Sequence, residues 1–326
     1  MVRSHLQFSP PPFLSPKTFK SKTLLLHRFL SNLPAMSNEN AEISNSNYPI
    51  PLSPPLPAIS KQIELSRAMS SSSTSSQFTL SSTHIIFQDD YFIIVNKPQG
   101  IYCENLLSSI PQFLNKSMEL HLANRLDRDT SVAGKMVQAF TNHKVRKTYI
   151  ALCVGLAPKW DKISVRSGHG RSKFGVWRVY AASDVDRSLP GGSRVRDMAT
   201  TFEVLSINGK GEFKEAKPKE DEFVVIEDKG VVCGASEEND EVLVRAYPRS
   251  GRTHQIRLHC QYLGIPIMGD VKYQGVYEWK GRTFDGHLLH AETLSFQHPV
   301  TGQQLEFRAP LPLWASQALK ASLEEG

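Results

Sequence analysis

From residue 84 onward the apolar side chains come in short bursts, rich in β-branched and aromatic residues and separated by Gly, Pro or acidic turns. Bursts of that length are too short for amphipathic helices and suit half-buried strands. Residues 84–87 and 91–96 read as two strands joined by the turn Gln88-Asp89-Asp90, and the break at 97–100 closes the second. Further strands are predicted at 147–154, 162–165, 176–180, 199–205, 241–247, 288–296 and 304–307. Helices are few: 106–114, interrupted at Pro111; helix-like content over 134–145; 253–263, with Ile256, Cys260 and Leu263 as its buried stripe; and 314–323. Strand runs with so few helices predict an α+β domain built on a mixed, mostly antiparallel sheet.

The first 83 residues contrast with this. They are rich in Ser and Pro, with runs such as Pro10-Pro11-Pro12 and Ser70-Ser71-Ser72-Ser73. Such a segment buries too little apolar surface to offset its ordering entropy, so disorder is predicted for 1–83 and order from about His84. Residues 1–38 carry Arg3, Lys17, Lys20, Lys22 and Arg28 and no acid. That composition fits a chloroplast or mitochondrial transit peptide, and equally a basic disordered tail. Translation from Met36 would remove the signal and leave a cytoplasmic protein.

The chain has 326 residues, 40% of them hydrophobic, enough for one large domain or two small ones. Its net charge of +6 and pI of about 9.0 favour a polyanionic partner over an acidic one. The acidic residues concentrate in 211–241, which holds 11 of them against 4 lysines and reads as a solvated insertion. Without it the remainder carries +13, since the insertion contributes −7 of the total +6. No stretch of 18 apolar residues is present to span a membrane. Cysteines at 103, 153, 233 and 260 form no C-x-x-C pair, so reduced thiols are expected rather than a disulfide framework or zinc site.

Two polar clusters carry chemistry. Asn124-Arg125-Leu126-Asp127-Arg128-Asp129-Thr130-Ser131 places a carboxylate between two arginines, where it stays ionised, in a run whose small polar residues favour a tight loop. The second, Pro248 through His259, places Arg249, Arg252, His254, Arg257 and His259 at the entry of a helix behind Gly251. Taken singly, each also reads as a solvated charged surface. His254 and His259 lie five apart with no carboxylate or cysteine in matching register, so no metal is predicted.

Together these runs resemble the RluA-type RNA pseudouridine synthases. The similarity is carried, in order, by Asp89-Asp90-Tyr91 with Val95 through Gly100; Asn124 through Ser131; Lys147 through Leu152 with Gly155; Gly251 through His259; and Gly264 through Asp270. It spans residues 84–316 and implies the pseudouridine synthase fold, with flanking helices and an RNA-binding cleft across the sheet. It also implies isomerisation of a uridine in RNA, without cofactor or metal, by a catalytic domain for which a monomer is the default.

By this resemblance Asp127 is the essential carboxylate, attacking the sugar C1′ or assisting a glycal intermediate. Arg257 is its cationic partner. Tyr149 packs on the uracil ring and assists proton transfer, and Leu258 supplies an apolar wall. Arg125 enters the RNA where the target base has left the stack. Arg128 and Arg252, with Arg249 and Lys97, suit phosphate contacts or the fold itself. An Asp-dependent glycosidase is the weaker reading, because it needs a second carboxylate and Asp129 is too near in sequence to serve.

The chain departs from the family pattern after Ser131. Glycine and a short apolar strand are expected there, yet Val132-Ala133-Gly134-Lys135 leads straight into helix-like sequence. About one strand with its connection is therefore expected to be missing. Its loss would displace Asp127; the chain is then expected to be a splice variant or faulty gene reading of an active enzyme, or alternatively a catalytically impaired RNA-binding relative with its basic cleft intact.

Overall fold

The computed structural model of the protein describes residues 47–115, 120–122, 126–137, 145–211, 224–226 and 239–320. Its strands are β1 (Ile85–Gln88), β2 (Phe92–Lys97), β3 (Ser131–Val137), β4 (Arg146–Gly155), β5 (Lys162–Arg171), β6 (Trp177–Tyr180), β7 (Arg196–Ile207), β8 (Val224–Val225), β9 (Asp240–Pro248), β10 (Glu278–Trp279), β11 (Arg282–Thr283), β12 (Leu289–Gln297) and β13 (Gln304–Arg308). Among the described residues four α-helices accompany them: α1 (Ser60–Ser76), α2 (Cys103–Leu114), α3 (Gln255–Tyr262) and α4 (Leu313–Lys320). None is long and apolar enough to cross a membrane.

Eleven strands form one sheet in the order β1-β2-β3-β12-β4-β9-β7-β5-β6, with β13 beside β12 and β8 beside β5. Among the described strands only β3–β12 and β5–β8 pair in parallel. The mixed, mostly antiparallel α+β architecture is the one expected.

Strand β4 shows why the sheet is central. Tyr149, Ala151 and Cys153 face one core cluster, which Ile256, Leu258 and Cys260 of α3 join. Ile150, Leu152 and Val154 face another, closed by Ala315 and Ala318 of α4. A strand buried on both faces reads as a continuous apolar run, which is why 147–154 was legible. Truncating Ile150, fully buried, to alanine would cost about 2–5 kcal/mol.

Register across the middle strands is set by charge. Arg245 of β9 donates through Nε and Nη2 to Glu292 of β12 at 2.7 and 3.0 Å, with both side chains fully buried. Thr148, on β4 between them, donates to Glu292 at 3.1 Å. A slip of the strands would leave these charges buried and unpaired, so one alignment is favoured.

Three expectations are corrected. Residues 131–137 form β3, not the start of a helix. β3 pairs with β2 from Phe92–Val137 to Lys97–Val132, and with β12 at His290 and Ala291. The position of the supposedly missing strand is thus filled, and the ground for an impaired relative goes with it. Gly134 and Lys135 are poor strand formers, but the edges of β2 and β12 both need a partner, and that outweighs local preference. The expected helical residues 138–144 lie outside the described residues.

Order also begins well before His84. Residues 47–83 are folded onto the domain. Ser53 accepts from Arg178 Nε at 3.0 Å, and α1 covers 60–76. No side-chain cap, first-turn acid or last-turn base marks α1, and its amphipathicity is weak, so its sequence announced nothing. It is held by tertiary bonds. Residues 1–46, with the proposed transit peptide, lie outside the described residues.

The acidic insertion is not wholly solvated. β8 pairs with β5 and Ile226 is buried, its amide donating to the Arg166 carbonyl at 2.8 Å. Segments 212–223 and 227–238 lie outside the described residues.

Candidate active site

The loop before β3 carries the acidic motif and is braced from three directions. Lys97, at the end of β2, is 1% exposed and donates to the carbonyls of Pro98, Ile101 and Arg128 at 2.9, 2.9 and 2.8 Å. Three acceptors call for the three N–H donors of an ammonium. Burial lowers the Lys97 pKa to about 8, so it remains charged at neutral pH. The Gly100 amide donates to the same Arg128 carbonyl at 3.1 Å. From the far side, His287 Nε2 lies 2.9 Å from Thr130 Oγ1. Lys97 is therefore a fold residue bracing the loop, one of the two roles expected of it.

Asp127 projects from this loop into a cavity of about 240 Å³, lined by residues that include Glu64, Tyr102, Arg128, His254, Arg257 and Lys272. Its cation comes from α3. Arg257 Nη1 donates to Asp127 Oδ2 at 2.7 Å. Burial pushes the Asp127 carboxyl upward, but the Arg257 guanidinium outweighs it and holds the group well below the usual carboxylate range. His254 Nε2 stands 3.6 Å from Asp127 Oδ1. Burial and Arg257 lower the His254 pKa to about 3, so at neutral pH that contact is not an ion pair.

Arg257 is itself fixed. Nε and Nη2 donate to the two carboxylate oxygens of Asp270 at 2.7 and 2.8 Å, and the guanidinium lies 5.0 Å from the Tyr273 ring centre. Tyr273 in turn bonds His254 Nδ1 through its hydroxyl at 2.7 Å. Burial raises the Asp270 carboxyl, and Arg257 overrides this to keep it ionised. One guanidinium thus serves two carboxylates, with all three of its nitrogens donating.

The remaining expected site residues fall as follows. Tyr149 is buried on β4, and burial together with the charge of Asp127 raises its phenol far above its ordinary value. It stays protonated and offers a ring face and a hydroxyl rather than a phenolate. Leu258 is fully buried in the same core cluster as Tyr149, and neither residue is part of the cavity lining. Arg128 lines the cavity, but its Nε and Nη2 are given to Asp129 at 2.6 and 2.7 Å. The neighbouring arginine therefore does not pair with Asp127, as the motif had suggested. Arg252 is exposed away from the cavity lining and donates to the Asp197 carbonyl at 3.0 Å. Arg125 lies outside the described residues.

Sequence reasoning missed His254, Asp270, Tyr273, His287 and Lys272 as site residues. Asp270 and His254 stood in quoted motifs without a catalytic role, and the others carried no local signal. His259 bonds Ser167 and Thr200 at 2.9 and 2.8 Å inside the core, away from His254. Among the described residues no three His, Cys, Asp or Glu side chains are grouped to hold a metal.

Comparison with known proteins agrees with this geometry. The RNA pseudouridylate synthase family model matches residues 91–262. RNA pseudouridine synthase 1 of Arabidopsis thaliana is 56% identical over 311 residues, covering 92% of this chain and 96% of its own. A protein of the same name from Oryza sativa subsp. japonica is 56% identical over 295 residues, 84% of this chain and 85% of its own. Ribosomal large subunit pseudouridine synthase C of Haemophilus influenzae is 30% identical over 243 residues, covering 70% of this chain and 65% of its own. Among solved structures, Human RNA Pseudouridylate Synthase Domain Containing 1 superposes with a TM-score of 0.50 at 20% identity, over 74% of this chain and 89% of that one. At that identity the likeness speaks to the fold.

Proposed function

The chain belongs to the RNA pseudouridylate synthase family, in its RluA-type branch, and from that premise we propose how its residues work. The protein converts uridine in RNA to pseudouridine. The N1–C1′ bond breaks with its electron pair going to N1, and the uracil turns. C5 then bonds C1′, the C5 proton leaves and N1 gains one. Composition is unchanged, so the protein has to supply only position, charge and proton traffic.

The observation that carries the assignment of roles is the Asp127–Arg257 contact at 2.7 Å on the cavity floor. With Oδ2 held by Arg257, Oδ1 is the oxygen left to face the sugar. It serves either by attack at C1′ or by assisting glycal formation. Arg257 keeps the carboxylate ionised and aimed. The Tyr149 ring, with its protonated hydroxyl, supports the base and proton transfer at C5. Arg125, Arg128 and Arg252 suit the RNA backbone and the gap left by the flipped base, with Leu258 packed in the same buried cluster as Tyr149.

The test is tritium release from RNA labelled at uridine C5, with the parent chain and Asp127→Ala side by side. Release by the parent alone is expected. Equal release by both, or none from total RNA with folded parent, would overturn the reading. For the compartment we propose organelle import by residues 1–38, on composition alone; a reporter fused to residues 1–60 that stays diffuse in the cytosol would sink it.

A further inference from the structure

Helix α1 lies outside residues 91–262, the span matched by the family, yet it reaches the active site. Glu64 lines the cavity beside Asp127. Three residues on, Arg67 is buried, 7% exposed, with its guanidinium between two loops. Nη1 donates to the Gly269 carbonyl at 2.7 Å, and Nη2 donates to the Phe284 carbonyl. Glu64 Oε1 lies 3.6 Å from Nη1, and Tyr277 presents its ring 5.6 Å from the guanidinium carbon. The C-terminal end of α1 is tied as well: Ser75 accepts from the Tyr102 amide at 3.3 Å, and its carbonyl accepts from Asn105 at 3.2 Å.

The two loops are those that hold the catalytic apparatus from behind. Gly269 precedes Asp270, the carboxylate that grips Arg257. Phe284 leads into Gly286, which packs directly on Asp129, and His287, which bonds Thr130. A buried guanidinium is costly unless its donors are used; here Nη1 and Nη2 join one loop's backbone to the other's, while the buried Nε makes no hydrogen bond.

We infer that Arg67 is a positioning residue for the reaction: it clamps the 269–270 and 284–287 loops, and through Asp270 and Arg257 it sets the place of Asp127. Helix α1 is on this account a structural part of the active site rather than a leader. The inference rests on the functional reading above only for its kinetic arm.

The experiment compares the full chain with Arg67→Met, Arg67→Lys and, as control, Lys61→Ala on the exposed side of α1. Two quantities are read: pseudouridine formation, resolved into kcat and KM, and amide hydrogen exchange over residues 268–288. Arg67→Met should lower kcat by roughly 10- to 100-fold with KM within about 3-fold, because displacement near 1 Å suffices for such a loss. Exchange at Asp270 and Leu288 should quicken, Arg67→Lys should recover part of both effects, and Lys61→Ala should match the parent. Unchanged kcat in folded Arg67→Met overturns the inference, as does a rise in KM alone, which would make α1 an RNA-holding element. If Arg67→Met does not fold, Arg67→Lys decides by the same kcat criterion. If the parent itself makes no pseudouridine, the functional reading fails, while unchanged exchange in the variants separately overturns the clamp.

Discussion

Asp270 holds the edge of Arg257 that Asp127 leaves free: Nε and Nη2 go to Asp270, Nη1 goes to Asp127, and all three distances fall between 2.7 and 2.8 Å. Arg257→Met would strand two carboxylates at once. We expect it to destabilise the domain by about 3–5 kcal/mol, with Asp270→Asn restoring part of that in the double variant. Asp270→Asn alone should keep the fold and lower kcat roughly 100-fold, because Arg257 loses its backing and Asp127 its aim. Denaturant unfolding and tritium release on the four proteins check both statements. Additive destabilisation would show the two residues to be independent.

Lys97 gives a pH signature in which activity and stability move in opposite directions. Burial lowers its pKa in the fold to about 8 from 10.5. Raising the pH through 8 leaves Nζ two N–H donors for three carbonyls, that of Arg128 in the catalytic loop among them, so kcat should fall along an alkaline limb centred near there. The unfolded chain still binds the proton up to 10.5, so between these values it carries more protons than the fold. The Lys97 contribution to stability therefore rises with pH in that window. Loss of activity near pH 8 without loss of melting temperature is the expected result. Lys97→Met should be slow at every pH and lack the limb.

Five histidines make the domain sensitive to acid. Burial, the largest cause in each, lowers His169, His287 and His290 to about 4 and His254 and His259 to about 3, from 6.5. Because these values lie below the unfolded one, unfolding takes up protons as pH falls below 6.5, and stability declines until about 3. By pH 5 each such histidine has removed up to about 2 kcal/mol, which is large against a total of about 5–15 kcal/mol. Melting temperature should fall steeply between pH 6.5 and 5. His259→Gln should flatten the slope; an unchanged slope would mean that His259 is protonated in the fold.

Gly286→Ala tests how tightly the loop is packed. A Cβ there would lie 2.8 Å from Asp129 Cβ and Cγ and 2.9 Å from Gln99 Nε2. Overpacking of this kind costs about 1–3 kcal/mol. Here it would also push Asp129 and its partner Arg128 away from the cavity. A drop in melting temperature with a larger drop in kcat/KM is expected; a variant indistinguishable from the parent would mean that the loop yields freely.

Much of the sheet was legible because its strands are apolar runs with β-branched and aromatic residues. The second half of β5, Arg166-Ser167-Gly168-His169-Gly170-Arg171, was not, since polar residues and two glycines hide a strand whose register β7 fixes. β3 was misread for the same reason: local preference pointed one way and two open sheet edges the other. α1 was unreadable, being Ser-rich and uncapped. At the site, Asp127 and Arg257 were found through motif resemblance, but the pairing of Arg128 with Asp129 was not, because adjacency in sequence does not say which carboxylate a side chain can reach. Asp270 and His287 act at a distance in the chain and leave no local trace.

The contact between Asp127 and Arg257 joins residues 130 apart in the sequence, and the guanidinium it depends on is completed only by Asp270. A growing chain therefore carries the Asp127 carboxylate through more than a third of synthesis before the matching charge is made. On the proposed role of Asp127, turnover must therefore wait until the C-terminal third that carries Arg257 and Asp270 has been made.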